Sequence, residues 1–316
     1  MRVLVTGASG FAGSFIAREL APACSELVAL YRSDSRFLAA LSGVPGIRTL
    51  RADLADAPAL PGPFDAVVHA AATSPAPGID AGRMVRDNVT ATAALIDAAE
   101  RWGCSAFVLF SSLSVYGDVT APLVDEATPI VNPDAYGASK HLCELMLAAR
   151  SDRLPGIALR LPGVLGPGAH RNWMSGVAAR LVAGRTVAAY HLERRYNNAV
   201  HVADIARLVA RLLAHPWRGY DTLVLGARHD IPLRSAIERL AAGLGVPARI
   251  EEIPALKASF TLSSERAIAR WGYAPMAIGP LLDRYAAEVA VVASAAADCK
   301  LSSPPKLPPN RSRADP

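Results

Sequence analysis

The chain opens MRVLVTGASGFAG (Met1–Gly13), and that short stretch already limits the architecture. Arg2 to Val5 is a short β-forming run, and Gly13 to Leu20 reads as a helix. Gly7, Gly10 and Gly13 recur at three-residue intervals between them. A strand that turns directly into a helix presents free backbone N–H groups and a partial positive charge at the helix start. A pyrophosphate sits there only where no Cβ stands in the way. One glycine then permits the tight turn, one the close approach to phosphate, and one the packing of helix on strand. The GxxGxxG spacing departs from the commoner GxGxxG but serves the same needs. Ser9, Phe11 and Ala12, in the same turn, join the three glycines as cofactor-binding candidates.

Apolar, β-branched runs then alternate with helical patterns. Leu27 to Tyr31, Ile47 to Leu50, Ala66 to His69, Ala106 to Phe110 and Ile157 to Leu161 read as strands. Met84 to Trp102 carries apolar residues at helical spacing. A further helix opens at Asn132-Pro133, an N-cap followed by a proline at the first helical position, and runs past Leu147. Such alternation implies an α/β protein with a parallel sheet covered on both faces. Beyond about residue 168 the order loosens into a smaller mixed part: helices over 175–183, 203–213 and 233–244, a polar stretch over 191–198 and a strand over 222–225. Expected boundaries are therefore 1–168 for a dinucleotide-binding domain and 169–295 for a mainly substrate-binding part. Segments of about 200–227 should return to the first domain. The Pro-, Ser- and Lys/Arg-rich residues 296–316 are expected to be a disordered tail.

Of 316 residues, 52% are hydrophobic and 19% charged, the balance of a packed globular protein. The formal charge of +5 lies partly in the last residues, so no nucleic-acid partner is inferred. Four scattered cysteines, with no CxxC and no HExxH, argue against zinc and against a disulfide scaffold. No metal site is expected. Neither a signal peptide nor an eighteen-residue apolar run is visible, so a cytoplasmic protein without a membrane span is the expectation.

Further residues point to chemistry. Asp53-Leu54 follows the third strand, where a carboxylate can accept the adenine amino group. His69-Ala70-Ala71-Ala72 ends the fourth with small side chains that leave room for a ribose or nicotinamide. His69 itself reads as a structural histidine. In Tyr136-Gly-Ala-Ser-Lys140, the tyrosine and lysine share one helix face. A phenol is a poor base at its usual pKa of about 10. A nearby ammonium stabilises phenolate and makes proton exchange with a hydroxyl feasible. Ser111-Ser-Leu-Ser-Val-Tyr-Gly117 ends a strand and places a hydroxyl at the sheet's carboxyl edge, where open α/β sheets bind ligands.

TGASGFAG, Asp53-Leu54, HAAA, SSLSVYG, YGASK and LRLPGVLGPG (Leu159–Gly168) stand in the order found in the extended short-chain dehydrogenase/reductases. The chain resembles their NAD-dependent epimerase/dehydratase family of sugar enzymes over about residues 1–295, most closely over the first 168. The resemblance implies a Rossmann-type, doubly wound parallel sheet, a bound nicotinamide dinucleotide and a catalytic Ser112, Tyr136 and Lys140. Tyr136 and Lys140 also count among the cofactor contacts, with Asn88 in the long helix behind the site and Leu161, Gly163 and Val164 in the LRLPGVLGPG segment. Substrate candidates are Thr73, Ser112, Leu113, Ser114, Arg171, Asn172, Arg195 and Asn197.

Departures narrow the chemistry. Sugar 4,6-dehydratases of this family carry an Asp-Glu pair just after the catalytic hydroxyl, where Leu113 and Ser114 stand here. A dehydratase of that type is therefore not expected. Epimerase-reductases acting beside a carbonyl usually have a cysteine near the serine, and Ser114 replaces it. The asparagine of the family's NVYGP turn becomes Gly163. The arginine that often holds a nucleotide-sugar diphosphate becomes Asn197, with Arg194 and Arg195 nearby. The GAHRNW segment (Gly168–Trp173) resembles members acting on nucleotide- or lipid-linked hexosamines.

NAD-selective relatives end the second strand with an acid that holds the adenosine ribose hydroxyls and repels a 2′-phosphate. Tyr31 takes that place, followed by Arg32, Ser33 and Arg36. NADP(H) is thus favoured over NAD(H), chiefly through Arg32, whose guanidinium can grip a phosphate; a ribose held by Asp34 is the alternative. The expected activity is that of an epimerase or ketoreductase on a small-molecule sugar derivative, in a homodimer. The alternatives are a non-catalytic dinucleotide sensor and a reductase of a non-sugar carbonyl.

Overall fold

The computed structural model describes residues 1–301, without the side chains of residue 58 and residues 293–301. In chain order, β1 (Arg2–Thr6) leads into α1 (Phe11–Leu20), then β2 (Glu26–Tyr31), β3 (Ile47–Arg51) and β4 (Ala66–His69). After them come α2 (Ala91–Trp102), β5 (Ala106–Ser112), α3 (Ala135–Ala148) and β6 (Gly156–Leu161). The remaining principal elements are α4 (Trp173–Val182), α5 (Val202–Ala214), β7 (Tyr220–Val224), α6 (Leu233–Gly243) and α7 (Ile278–Leu301).

The seven strands form one sheet in the order β7-β6-β5-β4-β1-β2-β3, every neighbouring pair parallel. Parallel strands covered on both faces read as continuous apolar runs rather than alternating ones, as β1 does. Successive side chains of β1 enter opposite cores. Val3 and Val5 pack with Ile16, Ala17 and Leu20 of α1 and with Leu208 and Val209 of α5. Leu4 packs with Leu95, Ile96 and Ala99 of α2 and Leu147 of α3. Strand order runs outward from β1 through β2 to β3, then returns to β4. The carboxyl ends of β1 and β4 therefore flank the point where such sheets bind ligands. A separate core gathers Met174, Val177 and Leu181 of α4 with Ile237 and Leu240 of α6 and Leu281 and Tyr285 of α7.

Three expectations need correction. The helix over 84–102 begins earlier, at Ala81, and passes through a π-helical stretch, Val85–Thr90, before α2. Pattern reading cannot see such a stretch because the apolar period barely changes. The N-cap of α3 is Asp134, whose carboxylate accepts the Gly137 N–H at 2.7 Å. Asn132 is held out of the helix at a φ of 48°, since Pro133 disfavours α conformation in the residue before it. Finally, α7 continues through Leu301, past the expected boundary at 296; the rest of the expected tail, 302–316, lies outside the described residues. The polar stretch over 191–198 also contains a short strand, Arg195–Tyr196, paired with Ile231–Pro232.

Candidate active site

The glycine turn assigns a separate task to each glycine. Gly7 has a φ of 72°, and a Cβ there would meet Ala71 N at 2.6 Å, so it makes the turn and lets the β4 loop approach. At Gly13 a Cβ would run into the backbone of Gly7, which makes it the contact between helix and strand. Gly10 is exposed and N-caps α1 without any side-chain cap, and the first turn holds no acid. The free N–H groups and positive end of α1 are thus left for an anion.

A cleft of about 480 Å³ opens beside this turn. Of the expected cofactor residues, Gly7, Ser9, Gly10, Tyr31, Arg32, Asp53, Leu54 and Ala70 to Ala72 line it, as does Thr73. Phe11, Ala12, Gly13, Asn88, Tyr136, Lys140, Leu161, Gly163 and Val164 are not part of its lining. Asn88 is buried and structural in its bonding. Its amide donates to Thr73 O at 3.1 Å and Ser139 Oγ at 3.0 Å, and its Oδ1 accepts the Thr73 N–H at 2.7 Å. It ties the loop after β4 to α3. π-Helical turns of this kind concentrate at functional sites.

Sequence reasoning missed other residues at this cleft. Ser35 donates to Ser9 O at 2.6 Å, pinning the loop after β2 to the glycine turn. Phe37 stacks on His170 with ring centroids 5.4 Å apart. Asp87 reaches Arg32 Nη2 at 3.2 Å, while Asp53 lies 3.9 Å from Nη1. Ser35 lies in a loop, Phe37 in a one-turn helix and Asp87 in the π-helical stretch, so no regular period marks them and only their side-chain chemistry could have.

Ser112 ends β5 at the carboxyl edge. Its Oγ accepts the Ser114 N–H at 3.1 Å and donates to Ser114 Oγ at 3.2 Å, capping the tight turn Leu113–Tyr116. That turn presses on α3 at Gly137, where any Cβ would strike Ser114 O. The contact sets the helix carrying Tyr136 and Lys140 against the strand carrying Ser112. Lys140 is only 2% exposed, yet its ammonium makes no hydrogen bond or ion pair among the described residues. Burial holds its pKa below the ordinary lysine value. Burial also holds the Tyr136 phenol above its ordinary value, with a hydrogen bond involving Ser74 pulling the other way. The expected lowering of Tyr136 by Lys140 is therefore not what this arrangement produces, because packing desolvates both groups.

Glu144, one turn beyond Lys140, is already committed. It takes Arg160 Nη2 at 2.7 Å and Nε at 3.1 Å, and Ser111 Oγ at 2.5 Å, all in the interior. Arg160 also donates to Tyr116 Oη at 2.9 Å. His69 is the structural residue it was expected to be. Its ring nitrogens bond Thr6 Oγ1 at 2.7 Å and Thr92 Oγ1 at 2.8 Å, and burial, then the Lys140 charge, bring its pKa down to about 3.

Two of the substrate candidates turn inward instead. Asn197 is buried, donating to Leu262 O at 2.9 Å and Ala227 O at 3.3 Å and accepting the Leu262 N–H at 2.8 Å. Asn172 caps α4 and donates to Val164 O at 2.9 Å. Both spend their amides on backbone groups that packing hides from water. Arg171, at a φ of 60°, joins the first cleft. Arg195 lines a second cavity of about 630 Å³ and is paired with Asp230 at 2.6 Å. Trp173, Tyr190, Tyr196, Phe260 and Lys257 share that cavity with Gly117 and Asp118, which follow the Ser112 turn. Among the described residues, no helix is long and apolar enough to cross a membrane.

This geometry agrees with known proteins. Residues 3–226 match the model of the NAD dependent epimerase/dehydratase family. A dTDP-glucose 4,6-dehydratase of Streptomyces griseus is 38% identical over 159 residues, 46% of this chain and 48% of its own, so the chain spans about half of that relative. A UDP-glucose 4-epimerase of Streptomyces lividans is 28% identical over 274 residues, 78% of this chain and 82% of the relative. Among solved structures, a double mutant of the dTDP-glucose 4,6-dehydratase of Streptomyces venezuelae with NAD bound shares the fold. Its TM-score is 0.77 at 24% identity, over 91% of this chain and 96% of that one. Dehydratases thus stand beside epimerases among the relatives, which gives no support to the expected exclusion of a 4,6-dehydratase. Nor do neighbours solved with NAD support an NADP(H) preference. The parallel sheet, the glycine turn and the matched residues agree that the chain belongs to the NAD-dependent epimerase/dehydratase family.

Proposed function

We propose that the protein is an NAD(P)-dependent oxidoreductase or epimerase acting on a hydroxyl or keto carbon of a sugar derivative, as a 4-epimerase or 4-ketoreductase of a nucleotide- or lipid-linked sugar. The observation that carries this reading is Lys140: a buried ammonium with no hydrogen bond or ion pair among the described residues, one helical turn from a phenol near the carboxyl edge of the sheet. An uncompensated buried charge is costly, and its presence fits a site completed by a polar ligand. The cradle at Gly7 and Gly10, too tight for a Cβ at Gly7, fits a dinucleotide pyrophosphate at the start of α1. When bound, the nicotinamide supplies the hydride acceptor and donor.

The chain's own residues then divide the remaining work. Lys140 would hold a ribose hydroxyl and so anchor the dinucleotide one helical turn from Tyr136. Tyr136 takes the proton from the substrate hydroxyl, or returns it to a carbonyl oxygen. Ser112 Oγ hydrogen-bonds the reacting oxygen and fixes its position. Elimination of water needs an acid and a base next to the reacting carbons, and Leu113 and Ser114 provide neither. The 4,6-dehydratase reaction is therefore not the one proposed, although relatives carry that name.

NADP(H) is the proposed dinucleotide, on the strength of Tyr31, Arg32 and Arg36 along the cleft. A homodimer is proposed as well, with Leu142 and Leu145 of α3 exposed at 45% and 52%; light scattering reads it directly. The function itself is tested by mass spectrometry of small molecules released from the purified protein, followed by dinucleotide titration. Retained dinucleotide marks an epimerase, which regenerates its cofactor. Binding only on addition marks a reductase. No retention and no saturable binding would sink the reading.

A further inference from the structure

Arg32, the residue on which the dinucleotide preference turns, is not free. Its guanidinium spans two carboxylates from different parts of the chain: Asp87 Oδ2 at 3.2 Å from Nη2, on the π-helical stretch, and Asp53 Oδ2 at 3.9 Å from Nη1, after β3. The two contacts differ in kind. Asp53 and Arg32 are both about half exposed, so their long contact is a weak surface pair. Asp87 is 17% exposed and built in: it accepts from Thr73 Oγ1 at 2.7 Å and faces Arg83 Nε at 3.5 Å. Burial alone would raise its pKa, but the bonds from Thr73, Arg32 and Arg83 outweigh that and hold it below the ordinary carboxylate value. Asp87 is therefore ionised at neutral pH, and it lines the same cleft as Arg32.

A guanidinium grips a phosphate best with two N–H groups side by side. One edge of Arg32 is already taken by a fixed carboxylate on the opposite wall. A ribose with free hydroxyls makes no such demand. We propose that Asp87 is a specificity-determining residue that weakens, without abolishing, the grip of Arg32 on a 2′-phosphate, so that the chain's discrimination between NADP(H) and NAD(H) is set by the Arg32–Asp87 pair and not by the end of β2 alone. The inference rests on the proposed dinucleotide function, and it changes what an arginine after β2 means in this chain.

Fluorescence titration of NADPH and NADH against wild type, Asp87→Asn, Arg32→Ala and the double variant tests it. Asp87→Asn should tighten NADPH roughly tenfold, the size expected when one unit charge a few ångströms from a phosphate is removed near the surface, with NADH nearly unchanged. In the Arg32→Ala background the same change should have little effect on NADPH, since the residue acts through Arg32. Asp87→Ser, which keeps a hydroxyl for Thr73 but no carboxylate, must act in the same direction. Equal tightening of both dinucleotides, no change in their ratio, or a full effect without Arg32 would overturn the inference. The wild-type ratio separately reports the NADP(H) preference. Absence of binding by either dinucleotide to the wild type overturns the underlying function and the inference with it.

Discussion

Two buried cations sit twenty residues apart in the sequence, and their surroundings are opposite. Arg160 on β6 is clasped by Glu144 through three nitrogen–oxygen contacts and by Tyr116 through a fourth. Lys140 on α3 is as deeply buried and has no such clasp among the described residues. A satisfied network of buried charges rigidifies what it joins. Here it joins α3 to the ends of β5 and β6, next to Ser112. An unsatisfied one weakens the fold and persists where function retains it. One cation builds the site, and the other serves it.

The largest effect expected from this contrast is chemical. Tyr136→Phe removes only the hydroxyl, so turnover should fall by about 10²–10⁴-fold, the usual scale of general acid–base catalysis. Dinucleotide affinity, read by titration, should stay near wild type. Substantial residual turnover would break the assignment.

On the Arg160 side the effect is on stability. Glu144→Ala leaves a buried guanidinium without its anion and Ser111 without its acceptor. A loss of about 3–5 kcal/mol in chemical denaturation is expected. A change below about 1 kcal/mol would show that the network is not what fixes α3 to the sheet.

The pH dependence sharpens the Lys140 side. Because burial raises the Tyr136 pKa, the phenol is protonated at neutral pH. The oxidative direction needs the phenolate, so its rate should climb with pH through the neutral range, while the reductive direction should fall at high pH. A flat oxidative profile from neutral to mildly alkaline pH would contradict this ordering.

The two regions also differ in how far the sequence reveals them. The strand–glycine–helix turn was readable because each glycine answers a local steric need, and the structure returns those needs at Gly7 and Gly13. The parallel sheet was readable because its strands are continuous apolar runs. That Tyr136 and Lys140 lie one turn apart on one helix was readable from their four-residue spacing. Their electrostatics were not, since desolvation depends on what the rest of the chain packs over them. Asn197 and Asn172 read as substrate contacts because one stands in the place of the family's arginine and the other in the GAHRNW segment. Their carbonyl partners come from segments up to 65 residues away, which no local pattern reveals. Asp87, the second cavity with Trp173 and Lys257, and the π-helical stretch stayed hidden for the same reason.

The central claim is that the Lys140 charge is kept for ligand and chemistry at a cost to the fold. Lys140→Met tests it most directly, in one sample, by thermal unfolding with and without dinucleotide. A lysine whose pKa is lowered on folding destabilises the folded state throughout the range below its unfolded value. The account therefore predicts a ligand-free variant more stable than wild type by about 0.5–2 kcal/mol. It also predicts that the stabilisation by added dinucleotide shrinks, because the ligand has lost one of its anchors. A ligand-free variant that melts below wild type, or one that keeps the full dinucleotide-induced shift, would contradict the account.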